Sequence, residues 1–176
     1  MGAQFDTNYM GTLRMIQAAL PYLRQQGSGH IIGTSSTVGL ISLPLIGSYC
    51  ATKWAFEALH ESLASEVKQF GIKVSLIEPG AYATEFGQNS PNGMATPMEP
   101  YAELRNQVIS HMMKMERGDP KATAEAVLKL VDTEQPPLRL ILGNEGVPMM
   151  HAVYADRLAS WDQWKTVSDA AQSVTA

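Results

Sequence analysis

Residues 30–59, HIIGTSSTVGLISLPLIGSYCATKWAFEAL, place a short apolar run, a polar loop and a long helical pattern one after the other. The run over residues 30–35 follows a Gly-Ser-Gly turn and predicts a buried strand. A helix is predicted over residues 48–70, with Ser48 as its N-cap and Gly71 as the residue that ends it. A strand that is followed by a loop and a long helix is the first half of a β–α–β unit.

Two more apolar runs, residues 72–78 and 138–142, predict two further strands. Near-continuous apolar strands that are separated by helical patterns are typical of a parallel sheet with both faces covered. The sequence therefore predicts an α/β fold. Helices are predicted over residues 5–26, where Pro21 indicates a kink or a break, over residues 101–116 and 123–132, and in the tail from Pro148.

The length of the chain, 176 residues, predicts a single domain that is large enough to bury a core. Residues 81–100 are polar and rich in Gly, Pro and Asn, which predicts a long loop rather than a helix or a strand. We expect a substrate-loop region over residues 81–120 and a helical tail over residues 148–176.

The composition argues against several classes of function. Apolar residues make up 45% of the chain and charged residues 17%, which is typical of a globular protein. The net charge of -4, with no basic stripe, gives no indication of nucleic acid binding. No run of about 18–20 apolar residues predicts a membrane span, and the single cysteine, Cys50, excludes an intrachain disulfide. The histidines lack metal-ligand spacing, so we expect no metal site, and a cytoplasmic location is the expectation.

Tyr49 and Lys53 are four residues apart in the predicted helix, so their side chains project from the same side. Tyrosine has an ordinary pKa of about 10, and a nearby ammonium group lowers that pKa by favouring the phenolate. Such a pair suits proton exchange with an alcohol or carbonyl oxygen. Taken alone, however, a Tyr-x-x-x-Lys pattern is more often two ordinary side chains on one face of an amphipathic helix.

The neighbours of this pair complete a longer pattern. Ser36 follows the first predicted strand and Pro79-Gly80 follow the second, at the edge where parallel sheets bind ligands. The order Ser-Ser-x-x-Gly, Tyr-x-x-x-Lys and Pro-Gly-x-x-x-Thr, with Asn8 upstream in FDTNYMGTL, resembles the short-chain dehydrogenase/reductase family. The resemblance is close over residues 5–86 and looser beyond them. It implies a Rossmann-like, three-layer parallel sheet, of which this chain would hold the later three strands and their helices.

By that resemblance, four residues form a catalytic set in an oxidoreductase that interconverts an alcohol and a carbonyl by hydride transfer. Tyr49 would be the general acid/base, Ser36 would hydrogen-bond the reacting oxygen, and Lys53 would bind the nicotinamide ribose and lower the pKa of Tyr49. Asn8, in an irregular stretch of helix, would hold a water that links Lys53 to solvent. The cofactor would be NAD or NADP, with its nicotinamide end bound by Tyr49, Lys53, Pro79, Gly80, Tyr82 and Thr84.

Each residue also has an ordinary structural explanation. Ser36 fits a turn hydroxyl, Asn8 fits an N-cap, and Pro79-Gly80 fit the exit of a strand. Cys50, beside Tyr49, is best explained as a small packing residue, since no base partner for a thiol is evident. The methionines of MATPM and HMMKM either fill the core or line a lipophilic substrate pocket.

In this family a dinucleotide-binding half precedes the position of Asn8, with a strand, a glycine-rich turn and a helix that receives the pyrophosphate. The sequence contains no such turn, since Gly27, Gly29 and Gly33 do not fit it. We therefore expect residues 1–176 to form a single partial Rossmann-like domain that is truncated before Asn8 and binds dinucleotide weakly or not at all.

Three functions follow as alternatives. The first is the short-chain oxidoreductase, acting on a small-molecule alcohol or carbonyl. The second is a non-catalytic interaction or dimerisation module, and the third is a sugar-nucleotide epimerase or dehydratase. The Pro-Gly-x-x-x-Thr pattern and the short C-terminal region favour the first function over the third. The resemblance also implies a homo-oligomer that is formed through the helices containing Asn8 and Tyr49, with neither nucleic acid nor membrane as a partner.

Overall fold

The structure is a computed structural model that describes residues 2–86 and 98–172. Its strands are β1 (Gly29–Thr34), β2 (Ile72–Pro79) and β3 (Arg139–Leu142). Its α-helices are α1 (Gly2–Phe5), α2 (Thr12–Gln26), α3 (Gly47–Val67), α4 (Ala102–Lys114), α5 (Thr123–Asp132) and α6 (Gly146–Ala170). A π-helical segment, Asp6–Gly11, joins α1 to α2, and 3-10 turns lie at Thr37–Gly39, Lys68–Phe70, Glu99–Tyr101 and Pro120–Ala122.

The strands form a parallel sheet in the order β1-β2-β3. Gly29 of β1 pairs with Ile72 of β2, and Leu76 of β2 pairs with Arg139 of β3. Because all the strands run in one direction, they end at one edge of the sheet, and the loops that follow them leave from that edge. The predicted α/β fold with three parallel strands is confirmed.

The start of α3 differs from the prediction. Ser48 is not the N-cap, because α3 begins at Gly47 and the cap position is taken by Ile46, which makes no side-chain capping bond. The Ile46 carbonyl already accepts a hydrogen bond from the Cys50 backbone nitrogen at 2.9 Å, so the helix starts before the serine. Gly71 does end the helical stretch, with a φ of 69° that glycine adopts at little cost.

Pro21 does not break α2, which runs without interruption from Thr12 to Gln26. Proline removes the hydrogen bond to the carbonyl four residues earlier, which here belongs to Gln17. Both residues lie on exposed positions, so water can take the place of the missing donor. The irregular part of this helical region is instead the π-helical segment that contains Asn8.

The core packs α2 and α3 against the sheet. Leu63 and Val67 of α3 contact Ile72 and Val74 of β2, and Ile16 of α2 joins the same cluster. Because α3 runs back along the strands after the loop that follows β1, its first turn lies at the carboxyl edge of the sheet. None of the helices in residues 2–86 and 98–172 is both long enough and apolar enough to cross a membrane.

Candidate active site

Ser36 stands just after β1 and connects two parts of the carboxyl edge. Its hydroxyl donates a hydrogen bond to the Pro79 carbonyl at the end of β2, at 3.4 Å. The same oxygen accepts from the Val38 backbone nitrogen at 3.4 Å, which caps the 3-10 turn Thr37–Gly39. The Ser36 side chain also lies close enough to Tyr49 to lower the pKa of the tyrosine by hydrogen bonding. The structure therefore brings the serine, the tyrosine and the end of β2 together.

Tyr49 lies in the first turn of α3, where its side chain is partly buried. The ring of Phe86 covers one side of the tyrosine ring, with the two centroids 5.4 Å apart. Burial raises the pKa of Tyr49, the hydrogen bond with Ser36 lowers it, and Cys50 adds to the rise. We expected Lys53 to lower this pKa, but Lys53 is not among the influences on it, and the net direction is upward because burial outweighs the contribution of Ser36.

Lys53 lies one turn after Tyr49 and on the same side of α3. Its ammonium nitrogen is 5.9 Å from the centre of the Tyr49 ring and donates a hydrogen bond to the Thr34 carbonyl at 3.0 Å. Burial lowers the pKa of Lys53, and the carboxylate of Glu57 opposes that shift. The ammonium group thus stands between the tyrosine and the last residue of β1, where it can donate further hydrogen bonds.

Asn8 lies inside the π-helical segment, so the irregular helix expected around it is present. Its side-chain nitrogen donates to the Thr52 hydroxyl at 3.1 Å, and that hydroxyl donates to the Tyr49 carbonyl at 2.8 Å. The Asn8 carbonyl accepts from the Thr12 hydroxyl at 3.1 Å. These bonds fasten the segment to the turn of α3 that lies between Tyr49 and Lys53.

The residues after β2 form a short connection along the edge. Gly80 donates to the Leu142 carbonyl at 3.2 Å, and Tyr82 forms an isolated parallel bridge with Gly118. Thr84 is exposed, and its hydroxyl accepts from the Phe86 backbone nitrogen at 3.3 Å. Tyr82 is packed against Gly118, where an added Cβ would lie 2.9 Å from a tyrosine ring carbon.

A cavity of about 250 Å³ opens beside this connection. Met115 lines it, which agrees with the pocket interpretation of one methionine in HMMKM, whereas Met112 and Met113 are exposed. Met98 of MATPM is also exposed, and the other methionine of that motif lies outside the described residues. The cavity has apolar walls and an acidic rim, formed by Ile41, Leu43, Tyr82, Met115 and Met149 and by Glu116, Asp119 and Glu145.

A partly buried group of charges between α3 and the sheet was not predicted from the sequence. Arg139 of β3 contacts Glu57 at 2.9 Å and Glu61 at 2.6 Å, both on α3, and Glu78 of β2 at 3.5 Å. Burial and the nearby Glu57 raise the pKa of Glu78 to about 8, although Arg139 opposes the shift. The sequence does contain a signal for this group, because Glu78 and Arg139 each lie inside an apolar strand. Charged residues need partners when they are buried.

Metal chemistry finds no support in this arrangement. Within residues 2–86 and 98–172, no group of three or more His, Cys, Asp or Glu side chains is placed to hold a metal ion. Cys50 is free and buried, as expected for a packing residue.

Comparison with known proteins connects this geometry to a family. The model of the short chain dehydrogenase family matches residues 2–95. An oxidoreductase of Botryotinia fuckeliana, BOA17, is 35% identical over 94% of this chain and 61% of its own length. The mouse 17-beta-hydroxysteroid dehydrogenase type 1 is 36% identical over 85% of this chain and 45% of its own length. The chain thus spans about half to three fifths of the length of these relatives.

Solved structures agree with that match. A short-chain dehydrogenase from Streptomyces avermitilis superposes with a TM-score of 0.79 at 36% identity, over 94% of this chain and 60% of its own. The three-stranded sheet described above is therefore part of a Rossmann-like fold of the short-chain dehydrogenase type. More distant proteins of the same fold have been solved with NADP or NAD bound.

Proposed function

Because the chain belongs to the short-chain dehydrogenase family, we propose that it is the catalytic part of an NAD(P)-dependent oxidoreductase that interconverts an alcohol and a carbonyl. One observation carries this proposal. The side chains of Ser36 and Tyr49 interact at the carboxyl edge of the sheet, and the ammonium nitrogen of Lys53 lies 5.9 Å from the centre of the Tyr49 ring, one helical turn along α3. Such a group of donors suits a reacting oxygen atom.

In the direction of reduction, the carbonyl oxygen of the substrate accepts hydrogen bonds from Ser36 and Tyr49. The hydroxyl proton of Tyr49 moves to that oxygen as negative charge develops on it, and the product is an alcohol. NAD(P), when bound, supplies or accepts the hydride. In the direction of oxidation, the tyrosine accepts the hydroxyl proton instead. The raised pKa of Tyr49 keeps the side chain protonated, which suits it to start reduction as the acid.

The proton on Tyr49 must then be replaced. We propose that Lys53 and Asn8 take part in this step, with Lys53 near the tyrosine and Asn8 bonded to Thr52 in the turn of α3 between Tyr49 and Lys53. The Thr52 hydroxyl, which accepts from Asn8 and donates to the Tyr49 carbonyl, fixes the separation between them. A water held near Asn8 completes the proposed path to solvent.

The residues present fit the nicotinamide end of the cofactor. An added Cβ at Gly80 would have only the Leu142 carbonyl within 4 Å, at 3.7 Å, so the backbone there leaves room for a flat ring to approach. Lys53 has hydrogen-bonding capacity left for ribose hydroxyls, since among residues 2–86 and 98–172 its ammonium group donates one hydrogen bond, to Thr34. The proposed contacts are Tyr49, Lys53, Pro79, Gly80, Tyr82 and Thr84.

The cavity beside Tyr82 supports a substrate with an apolar body. Its apolar walls favour such a body, and its acidic rim disfavours an anionic group. We therefore propose an uncharged, largely apolar alcohol or carbonyl as the substrate class. The steroid dehydrogenase named above acts on a molecule of that general kind, as its name states.

Self-association is a further part of the proposal. Met15 and Tyr22 of α2 are exposed over 72% and 74% of their surface, which leaves apolar area on this helix for a partner to cover. A homo-oligomer formed through the helices that contain Asn8 and Tyr49 would cover them. If the chain is instead a non-catalytic interaction module, binding through this same surface would be its function.

Nicotinamide binding separates the two functions most directly. We expect NADH and NADPH to bind residues 1–176 with weak affinity, and we expect the same residues to support turnover of apolar ketones when the nucleotide is supplied in excess. Nucleotide fluorescence measures the binding, and the loss of nicotinamide absorbance measures the turnover. A chain that forms dimers but neither binds nucleotide nor reduces any ketone with nucleotide in excess would support the interaction module instead.

A further inference from the structure

The loop between Ser36 and Tyr49 is held from outside by side chains that the proposed chemistry does not use. This segment, residues 40–46, is called the 40–46 loop. Its Leu40 carbonyl accepts hydrogen bonds from Arg157 at 3.0 Å and from the Tyr154 hydroxyl at 3.4 Å, both on α6. The next carbonyl, that of Ile41, accepts from the indole nitrogen of Trp54 on α3 at 3.1 Å.

Arg157 also contacts the rings of the other two donors. The guanidinium carbon of Arg157 lies 5.2 Å from the Trp54 ring centre and 4.9 Å from the Tyr154 ring centre. Both distances are within the range of cation–π attraction, which favours a planar guanidinium over an ammonium group. Trp54, Tyr154 and Arg157 are called the Arg157 clamp below. The clamp joins α6, near the end of the chain, to the helix that carries Tyr49.

The backbone nitrogens of the same two residues are fastened to the turn that follows Ser36. The Leu40 and Ile41 nitrogens donate to the Thr37 carbonyl at 3.1 and 3.3 Å. The loop therefore connects the turn that follows Ser36 to α3, which carries Tyr49. These two residues supply the hydroxyls proposed to hold the substrate oxygen. Rotation of the loop about its attachment would change the separation of these hydroxyls.

The rest of the loop has little to hold it. Leu43, Leu45 and Ile46 are all exposed, and Leu45 has a φ of 69°, a left-handed conformation that leucine rarely adopts. Such a conformation persists only where the surrounding structure imposes it. Hydrogen bonds to Leu40 and Ile41 are the side-chain contacts that the described residues provide for this purpose.

We propose that Arg157 is a positioning residue: through the Leu40 carbonyl and the rings of Trp54 and Tyr154 it holds the 40–46 loop so that Ser36 and Tyr49 face one substrate oxygen. Its effect on catalysis rests on the proposed function, but its hold on the loop does not. Arg157 touches neither the substrate oxygen nor the nicotinamide in this assignment. It also places Ile41 and Leu43 at the cavity, so it acts on the apolar wall as well.

The test replaces Arg157 by methionine, which keeps the apolar stem and removes the planar cation. Lys165→Met is the matched control, because Lys165 is a cation on the same helix whose ion pair with Asp169 is exposed and away from the loop. Tyr154→Phe removes only the hydroxyl that donates to the Leu40 carbonyl. This variant provides the test if the Arg157 variant folds poorly. Hydrogen exchange of the loop amides, followed by mass spectrometry, is measured together with kcat and KM for an apolar ketone.

In Arg157→Met we expect the amides of the 40–46 loop to exchange about tenfold faster, with exchange in β2 unchanged, since the loss of order is local. We also expect kcat to fall about tenfold with the KM for the nucleotide unchanged, because misplacement of the two hydroxyls affects the transition state. Tyr154→Phe should show the same effects in smaller measure, and Lys165→Met should show neither.

Two results would overturn the proposal. If the amides of the 40–46 loop exchange at the same rate in Arg157→Met and in Lys165→Met, the arginine does not hold the loop. Faster exchange with unchanged kcat and KM would show that the clamp supports the fold but does not position the hydroxyls. If the wild-type chain shows no turnover, the proposed function fails, and loop exchange alone decides whether Arg157 holds the loop.

Discussion

Glu78 lies 3.5 Å from Arg139 on the neighbouring strand, and its side chain is completely buried. The arginine also contacts Glu57 and Glu61, so one cation is shared among three carboxyl groups. A buried group of this kind is stable when one of the acids keeps its proton, because the charges then come closer to balance. Glu78, with a pKa of about 8, is the residue that keeps it.

A dependence of stability on pH follows from the raised pKa of Glu78. The folded chain holds this proton from the ordinary glutamate pKa of 4.5 up to about 8, whereas the unfolded chain has lost it, so stability falls as pH rises across that window. The slope is at most about 1.4 kcal/mol per pH unit. Glu78→Gln should remove this slope, as measured by urea unfolding at pH 5 and pH 8 against the wild type.

Glu61→Gln is the matched control for that experiment. Glu61 contacts the same arginine but is largely exposed, so its replacement should leave the slope in place. Equal slopes in the wild type and in Glu78→Gln would mean that another group holds the proton.

Tyr49→Phe should abolish turnover while leaving the fold intact. Loss of a positioned acid/base costs about 10²–10⁴-fold in rate, and the phenylalanine keeps the ring contact with Phe86. Tyr22→Phe is the control, because Tyr22 is exposed on α2. Turnover by the two variants is compared with their melting temperatures, and full activity in Tyr49→Phe would remove the tyrosine from the mechanism.

Gly33→Ala should destabilise the fold. A Cβ at this position in β1 would lie 2.7 Å from the His60 side chain and 2.8 Å from the Phe56 ring. Overpacking of a buried site costs about 1–3 kcal/mol. Gly47→Ala, at the start of α3, is the control, because an added Cβ there has no neighbour within 4 Å. Urea unfolding of both variants measures the difference, and equal stabilities would show that β1 and α3 are packed more loosely.

Thr52→Val should lower stability by about 1 kcal/mol, because it removes the acceptor for Asn8 and the donor for the Tyr49 carbonyl. Thr52→Ser should restore most of the loss. A double-mutant cycle with Asn8→Ala measures the coupling between the two side chains. Strictly additive effects would show that the bond between Asn8 and Thr52 contributes nothing to stability.

Much of the fold could be predicted from the sequence because its signals are local. Apolar runs locate each strand to within about one residue, and residues 123–132 coincide with α5. Tyr49 and Lys53 share a side of α3 because helical geometry alone requires it. The prediction of Ser48 as the N-cap of α3 was wrong. Serine also fits the first turn of a helix, so the residue type alone does not distinguish that position from the cap.

The remaining features depend on contacts between distant parts of the chain. Arg139 bonds Glu57 across 82 positions of sequence, and Arg157 bonds Leu40 across 117, so no periodicity connects either pair. The pKa of Tyr49 depends on how deeply the side chain is buried, which is likewise a property of the whole fold. The break that Pro21 allows did not occur, because the exposed position of the proline lets water replace the missing backbone donor.

Different parts of the chain supply the proposed acid/base groups and the lining of the cavity beside Tyr82. The groups proposed to transfer protons belong to residues 8–53, whereas much of the lining of this cavity, from Met115 to Met149, comes from the later part of the sequence. On the proposed function, replacement of the lining residues between Met115 and Ala122 can therefore change which molecule is accepted while the hydroxyl pair stays as it is. Helix α6 differs, because it carries Met149 of the lining together with Arg157, so a change of substrate there also affects the groups that perform the reaction.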